Sequence, residues 1–518
     1  MRMGAIKKQS LASLPDDPEK LKSIIMELSS RVAALEEYVL LGRAKKYGAS
    51  SEKSVDQREM FNEAELSVVA EEVLAEQEAE REAQSNTSTD KPKKKAGRKP
   101  LPATLPRVRI EHDVPETEQV CDCGCQRVEI GEETSEQMDI IPAKVQVIVN
   151  VRKKYACQQC ETGVITAPLP PQPIPKSNAS PGLLAHVATA KYQDGLPLHR
   201  QEAVLNRSGV EIPRNTLASW MIKSGELIQP LINLLEDKLL AYPVMHCDET
   251  TLQVLKEPDK NASQKSYMWV RVGGPPAQPI RLFHYADSRR GEVASALLAG
   301  YGGYLQTDDY AGYNAARAEN TITQLGCWAH ARRKFIDAQK ATLSKHKKTG
   351  KADLAISLIG KLYAVEKQIK EHSAEEKYIA RQQQAIPILT AIRQWLDKTL
   401  HSTLPKGLLG KALSYLEKNW KKLTVYTEDG RLSIDNNPAE NAIRPFVVGR
   451  KNWLFSATVR GAKSSANLYG LIETAKANGL EPYTYLRHVF KELPKAASVD
   501  DVEVLLPRNV NTQTIAVD

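Results

Sequence analysis

Three acids stand in surroundings that suit phosphoryl transfer: Asp248 inside Y-P-V-M-H-C-D-E-T-T-L-Q-V-L, Asp308 at the end of L-Q-T-D-D-Y-A-G-Y, and Glu440 in D-N-N-P-A-E-N-A-I-R-P. Carboxylates brought together repel one another unless a cation lies between them. Mg²⁺ (or Mn²⁺) is held by a few carboxylates plus waters and the phosphate oxygens of a substrate. Two such ions stabilise the attacking and leaving oxygens of an in-line displacement. Each acid also has a structural alternative. Asp favours turns, because its side chain bonds nearby backbone N–H groups. With Asn437 as N-cap and Pro438 at N1, Glu440 falls at N3, where Glu reaches back to cap its own helix.

The neighbours of Glu440 favour chemistry over capping. Arg444 follows one helical turn later on the same face, and Arg450, Lys451, Arg460 and Lys463 come soon after. Basic groups around a carboxylate cluster suit a phosphodiester. A further stretch, C-W-A-H-A-R-R-K-F, places Cys327 and His330 three residues apart, with Arg332 and Arg333 beyond as DNA contacts. His330 orients a ligand carboxylate, contacts the strand end, or is incidental to a helix start.

A second set of ligands lies upstream. Five of the seven cysteines fall between 121 and 160, as C-D-C-G-C (Cys121, Cys123, Cys125) and C-Q-Q-C (Cys157, Cys160). Zn²⁺ takes four thiolates from two tight turns, and so stabilises a domain too small for a core of its own. Four of these five are the expected ligands. Between the knuckles, Val145, Val147, Val149 and Val151 alternate as on a strand. This is the plan of a zinc ribbon over 108–167.

Positioning Asp248 beside Asp308 requires a sheet. From Tyr242 the chain reads as three strands, a helix, a strand holding Asp308, and a fifth strand running into a helix. That is the order of an RNase H-like fold, in which the first and fourth strands are neighbours. The two acids then meet despite the 59 residues between them. Strand parity sends Asp308 and Asp309 to opposite faces. Amphipathic helices over 337–425, with a Lys-rich tract from Lys345 to Lys351, interrupt this 241–460 domain.

Other elements supply binding. Leu21, Ile25, Leu28, Val32, Leu35 and Val39 alternate at spacings of four and three, the seam of a leucine-zipper coiled coil over 14–46 and hence a homo-oligomer. The alternative is a helix packed on its own domain. An acidic and then basic linker, predicted to be disordered, spans 54–107 and ends in Lys91, Lys93, Lys94, Lys95, Arg98 and Lys99, an electrostatic handle for phosphate. A helical region over 176–240 turns at Ser208–Gly209 and reopens near Pro213 with Arg214 and Asn215 in the first turn. A helix-turn-helix presents such side chains to the major groove. A helical region and tail over 461–518 complete a multidomain α+β chain. The net charge of +8 among 518 residues permits a polyanionic partner. No apolar run approaches the roughly 18 residues of a membrane span, and no signal-peptide core is evident. This predicts a cytoplasmic protein with reduced thiols.

Taken in order, H-C-D-E-T, L-Q-T-D-D-Y-A-G-Y, C-W-A-H-A-R-R-K-F and D-N-N-P-A-E-N-A-I-R-P resemble the DDE transposases of bacterial insertion sequences, specifically the insertion sequence sixty-six family. The likeness extends to the zipper, Y-G-A-S-S-E-K, the zinc motif and E-T-A-K-A-N-G-L-E-P-Y-T-Y-L. It implies the roles of first Asp, second Asp and Glu for Asp248, Asp308 and Glu440. It also implies binding of element ends, strand cleavage and strand transfer, nucleoid association, and small accessory proteins of the same element as partners. Two features depart from the family: C-D-C-G-C replaces its usual C-P-x-C-G, and Asp309 stands where Gly is common, so the resemblance assigns Asp308 to the metal and leaves Asp309 as a turn residue. Two rivals remain in view, a non-catalytic zinc-containing DNA-binding regulator and an RNase H-fold nuclease that cuts without joining.

Overall fold

A computed structural model describes residues 17–47, 145–156, 164–341 and 350–511. The expected linker, its basic run with Lys93, Lys94, Lys95, Arg98 and Lys99, and the five candidate zinc cysteines Cys121, Cys123, Cys125, Cys157 and Cys160 lie outside those residues. The chain divides into two compact units, Glu76–Ala167 and the remainder.

The N-terminal segment of the larger unit is one helix, α1 (Pro18–Tyr47), whose first turn is capped by Asp17 accepting the Glu19 N–H at 3.0 Å. Of the heptad seam, Ile25, Leu28, Val32, Leu35 and Val39 are all more than half exposed. The helix is fixed by its other side. Leu41 is buried, and Glu37 accepts the Leu408 N–H at 2.8 Å. The apolar stripe is therefore not packed on its own domain.

In the smaller unit, β1 (Lys154–Ala156) pairs antiparallel with β2 (Val164–Thr166), Tyr155 opposite Ile165. The alternating valines before it form no strand, and Val147, Val149 and Val151 are at least 77% exposed. Alternation alone does not hold a strand: its N–H groups need a partner ladder, and none of the described residues supplies one.

The larger unit continues with α2 (Pro181–Tyr192), α3 (Leu198–Arg207), α4 (Arg214–Leu227) and α5 (Gln229–Leu240). The expected turn forms at Ser208–Gly209, where Gly209 takes φ +78°, a conformation that favours glycine. Glu202 on α3 accepts the Arg214 N–H at 3.1 Å and fixes the start of α4, leaving Arg214 and Asn215 exposed.

Next comes the sheet. β3 (Val244–Lys256), β4 (Lys265–Gly273) and β5 (Ile280–Ala286) form an antiparallel meander. After α6 (Gly291–Leu297), β6 (Gly303–Gln306) lies parallel to β3, with Val244 opposite Tyr304. After α7 (Tyr313–Glu319), β7 (Ile322–Leu325) extends the sheet in parallel, giving the order β5-β4-β3-β6-β7. β4 is buried along most of its length, whereas β3 is buried at Val244–Cys247 and only half-buried from Asp248 to Thr251.

α8 (Trp328–Lys340) then leads into the helices of the expected insertion: α9 (Lys351–Gln368), α10 (Ala374–Ala380), a π-helical turn (Arg381–Ala385), α11 (Ile386–Leu400) and α12 (Leu408–Thr424). Trp328, Phe335, Ile359, Leu362, Leu396 and Leu416 share a core of their own. The chain returns to β3 through α13 (Asn437–Trp453) and β8 (Ser456–Thr458), the latter pairing with Val254 and Lys256. It ends in α14 (Val459–Ala477), α15 (Pro482–Glu492) and α16 (Val499–Glu503). α14 packs on α4, where Ser464 Oγ donates to the Ile222 carbonyl at 3.1 Å. One buried cluster thus runs from Ile174 through the sheet to Leu506. Among the described residues no helix is long and apolar enough to cross a membrane.

Candidate active site

β3 brings two carboxylates to one level of the sheet, Asp248 opposite Val270 and Glu249 opposite Trp269. Consecutive strand residues face opposite ways. Glu249 accepts the Tyr313 hydroxyl at 2.7 Å and pairs with Arg289. Asp248 instead feels Glu440 and Asp308. Burial first, then the charges of Glu249, Glu440 and Asp308, hold its carboxyl well above the ordinary range.

Asp308 lies just past β6, not within it. The parity argument is therefore corrected: the two aspartates diverge because Asp309 adopts φ +69° in the turn. Asp309 pairs with Lys422 of α12. Asp308 accepts the Tyr310 N–H at 3.0 Å through Oδ1 and turns Oδ2 toward Arg289 at 3.6 Å. It is both a turn former and a member of the acid cluster. Arg289, stacked 3.7 Å from the centre of the Tyr310 ring, bridges Glu249 and Asp308.

The local expectation for Glu440 is also corrected. The helix begins one residue earlier than expected, with Asn436 as N-cap, so Glu440 sits at N4. Asn437 is inside the helix, its side chain and N–H both turned back to Asp435 at 2.9 and 3.1 Å. Glu440 is 5% exposed, and neither of its oxygens accepts a hydrogen bond from any described residue. It therefore caps nothing. His330 lies beside it, Nδ1 3.7 Å from Oε1. Cys327 occupies the N-cap position of α8 without a side-chain capping bond and His330 follows in the first turn, and one ligand atom each from Cys327, His330 and Glu440 lie within 4.8 Å of one another. Burial, then Arg333, lowers His330 to about 4, leaving it neutral at pH 7.

Glu440 is raised to about 7, by burial first and then by Asp435 and Asp308, against the pull of Arg333 and Arg444. A raised value means that the folded state holds this proton more tightly than the unfolded chain does. The associated stability, about 3 kcal/mol at most for a shift from 4.5 to about 7, is complete below 4.5 and lost as pH rises through 7. In magnesium-free buffer, melting temperatures of wild type and Glu440→Gln should diverge between pH 5 and pH 8, with wild type falling relative to the variant. Parallel profiles would contradict the acid cluster.

Several expected DNA contacts sit elsewhere than in solvent. Arg332 is corrected to a buried position, 5% exposed, near Tyr363, which donates to Asp435 at 2.9 Å. Arg450 is half-buried, with its guanidinium donating to Thr250 and Thr251 of β3 at 3.1 Å. Lys451 is exposed, while Arg333 and Arg444 are half-buried beside Glu440. Sequence reasoning missed Glu249, Arg289 and Asp435. The Asp-Glu pair in H-C-D-E-T and the first Asp of D-N-N-P were signals, but Arg289 gave none.

Known proteins match this chain along almost its whole length. Family descriptions match as follows: "Transposase IS66 family" over residues 176–464, "IS66 C-terminal element" over 470–507, "Transposase C of IS166 homeodomain" over 34–110, and "zinc-finger binding domain of transposase IS66" over 118–161. All four describe parts of an insertion-sequence transposase. The chain belongs to the IS66 transposase family. It is similar to two uncharacterized proteins of Sinorhizobium fredii: y4qI, at 32% identity over 98% of this chain and 94% of the relative, and y4jD, at 30% identity over 96% and 97%. The zinc-finger match covers all five clustered cysteines and supports Zn²⁺ as a bound metal.

Proposed function

We propose that this transposase cuts and joins DNA with Asp248, Asp308 and Glu440 as ligands of divalent metal on an RNase H-like core. The observation that carries the reading is Glu440: a buried carboxylate with no hydrogen-bond partner among the described residues, coupled to two further acids. A buried charge is tolerated only when paired, neutralised or bound to metal. The sheet order β5-β4-β3-β6-β7, with β3 beside β6, supports the fold assignment. The donor set, all oxygen with partial solvent access at Asp308, suits Mg²⁺ or Mn²⁺.

When bound, two such ions supply stabilisation of the attacking and leaving oxygens. The protein's own groups orient them. Asp309 anchors the β6 turn to α12 through Lys422, and His330 lies beside Glu440 at 3.7 Å. Arg333 and Arg444 face the scissile phosphate from beside Glu440. Water attacks the phosphodiester at the element end, breaking its P–O3′ bond to leave a 5′-phosphate and a free 3′-OH, and that 3′-OH then attacks a target phosphodiester and displaces the target strand's 3′-oxygen as a new 3′-OH. Arg214 and Asn215 at the exposed start of α4, Lys451, and the basic run before residue 100 grip the element ends. With Mg²⁺, labelled element-end DNA should yield both nicked strands and strands joined to target. Nicking without joining would select the nuclease reading; binding with neither would select the regulator.

The exposed seam of α1 supports self-association through a coiled coil. Leu28→Glu should shift the protein to a smaller species by light scattering without changing its melting temperature. An unchanged mass would remove the zipper from the account.

A further inference from the structure

Three of the elements that meet at the acid pocket are β3, the start of α8 and α13, and a single residue is bonded to all three of them. Asn436 is fully buried. Its Nδ2 donates to the carbonyl of Cys247, the residue before Asp248, at 2.9 Å. Its Oδ1 lies 3.3 Å from Nδ1 of His246, one residue further back on β3. Its backbone N–H donates to Cys327 Sγ at 3.3 Å, and its carbonyl accepts the N–H groups of Ala439 and Glu440 at 3.1 Å each.

The orientation of the amide follows from these partners. A carbonyl can only accept, so the atom facing Cys247 is the NH₂ group, and Oδ1 is left to accept from His246, whose ring proton then sits on Nδ1. Helix capping does not account for this side chain. Asn436 occupies the N-cap position, yet its side chain makes no capping bond. Asp or Ser would serve a cap as well. A carboxylate could not donate to the Cys247 carbonyl, whereas the amide presents a donor and an acceptor on separate atoms to two residues of β3.

We propose that Asn436 is a positioning residue that sets the separation of Asp248 from Glu440, so that divalent-metal affinity depends on its amide although it touches no ion. The inference rests on the reading above that these acids bind the metal. Residues behind metal ligands usually change affinity about 10- to 100-fold when replaced. Asn436→Ala removes both contacts to β3. Asn436→Asp keeps the shape and the acceptor but turns an oxygen toward the Cys247 carbonyl.

The test is Mn²⁺ binding to the full chain without DNA, followed by electron paramagnetic resonance, on wild type, Asn436→Ala, Asn436→Asp and Asp308→Asn, alongside melting temperatures. Both Asn436 variants should bind Mn²⁺ at least about tenfold more weakly than wild type. In the cleavage assay their half-saturating metal concentration should rise, while the rate at saturating metal recovers toward wild type. A purely structural role would instead lower the rate at every metal concentration. Wild-type Mn²⁺ affinity in whichever variant folds would overturn the inference. Mn²⁺ binding by wild type no tighter than by Asp308→Asn would overturn the metal reading itself, and this inference with it.

Discussion

Glu440→Gln should retain the fold and the binding of element-end DNA while strand cleavage falls at least about 10³-fold, equivalent to about 4 kcal/mol of transition-state stabilisation. The substitution separates two roles that the local sequence leaves superposed. A Gln caps a helix as well as a Glu does, so a capping role predicts near-normal activity. The structure removes that role by placing the residue at N4 with both oxygens unbonded among the described residues. What Gln cannot do is carry the charge that offsets a divalent ion. The same loss of charge relieves repulsion from Asp308 and Asp435, so the melting temperature of the metal-free variant at pH 8 should be at or above that of wild type. Single-turnover cleavage beside a DNA-binding measurement checks both halves. Activity within tenfold of wild type would show that Glu440 is not a ligand.

Arg381→Met should destabilise the protein by about 3–5 kcal/mol, the usual consequence of removing one partner of a buried pair. Arg381 is 2% exposed and lies in the π-helical turn of the insertion. Its guanidinium makes two bonds to Glu366, at 2.9 and 2.7 Å, and donates at 2.8 Å to the carbonyls of Tyr426, Asp429 and Leu432. Those carbonyls belong to the segment that leads into Asp435, Asn436 and Glu440. The insertion thus holds the approach to the third acid, and the variant should lose cleavage even where it remains folded. Replacing Glu366 with Met as well should recover part of the stability, because the stranded charge goes, but not all, because three carbonyls stay unmatched. Denaturant melts of the single and double variants measure this. A loss below 1 kcal/mol in the single variant would show that the clamp is not structural.

What could be read in the sequence was what is local. The helix under the zipper spacing, the Ser208–Gly209 turn and the succession of strands from β3 to β7 all follow from periodicity and turn chemistry within short windows, and the structure has them. The grouping of Asp248 with Asp308 was legible only through the topology that those strands imply. Errors arose where a single residue of register mattered. One position at the start of α13 moves Glu440 from cap to pocket, and the short β6 leaves Asp308 and Asp309 in a turn where parity does not apply. Partners distant in sequence were invisible. Arg289 reaches Glu249 across 40 residues, Arg381 reaches Leu432 across 51, and Asn436 reaches Cys247 across 189. Nothing in the spacing of Arg332 distinguishes it from a DNA contact, because only the packed core around Trp328 and Phe335 buries it.

The most direct measurement is cleavage and strand transfer on labelled element-end DNA by wild type and Asp308→Asn, each with Mg²⁺ and with EDTA. If the acids bind metal, wild type nicks and joins only with Mg²⁺, and the variant binds the DNA but does neither. If Asp308→Asn matches wild type, Asp308 serves only the turn through its bond to Tyr310, and the metal-binding account of this site is wrong.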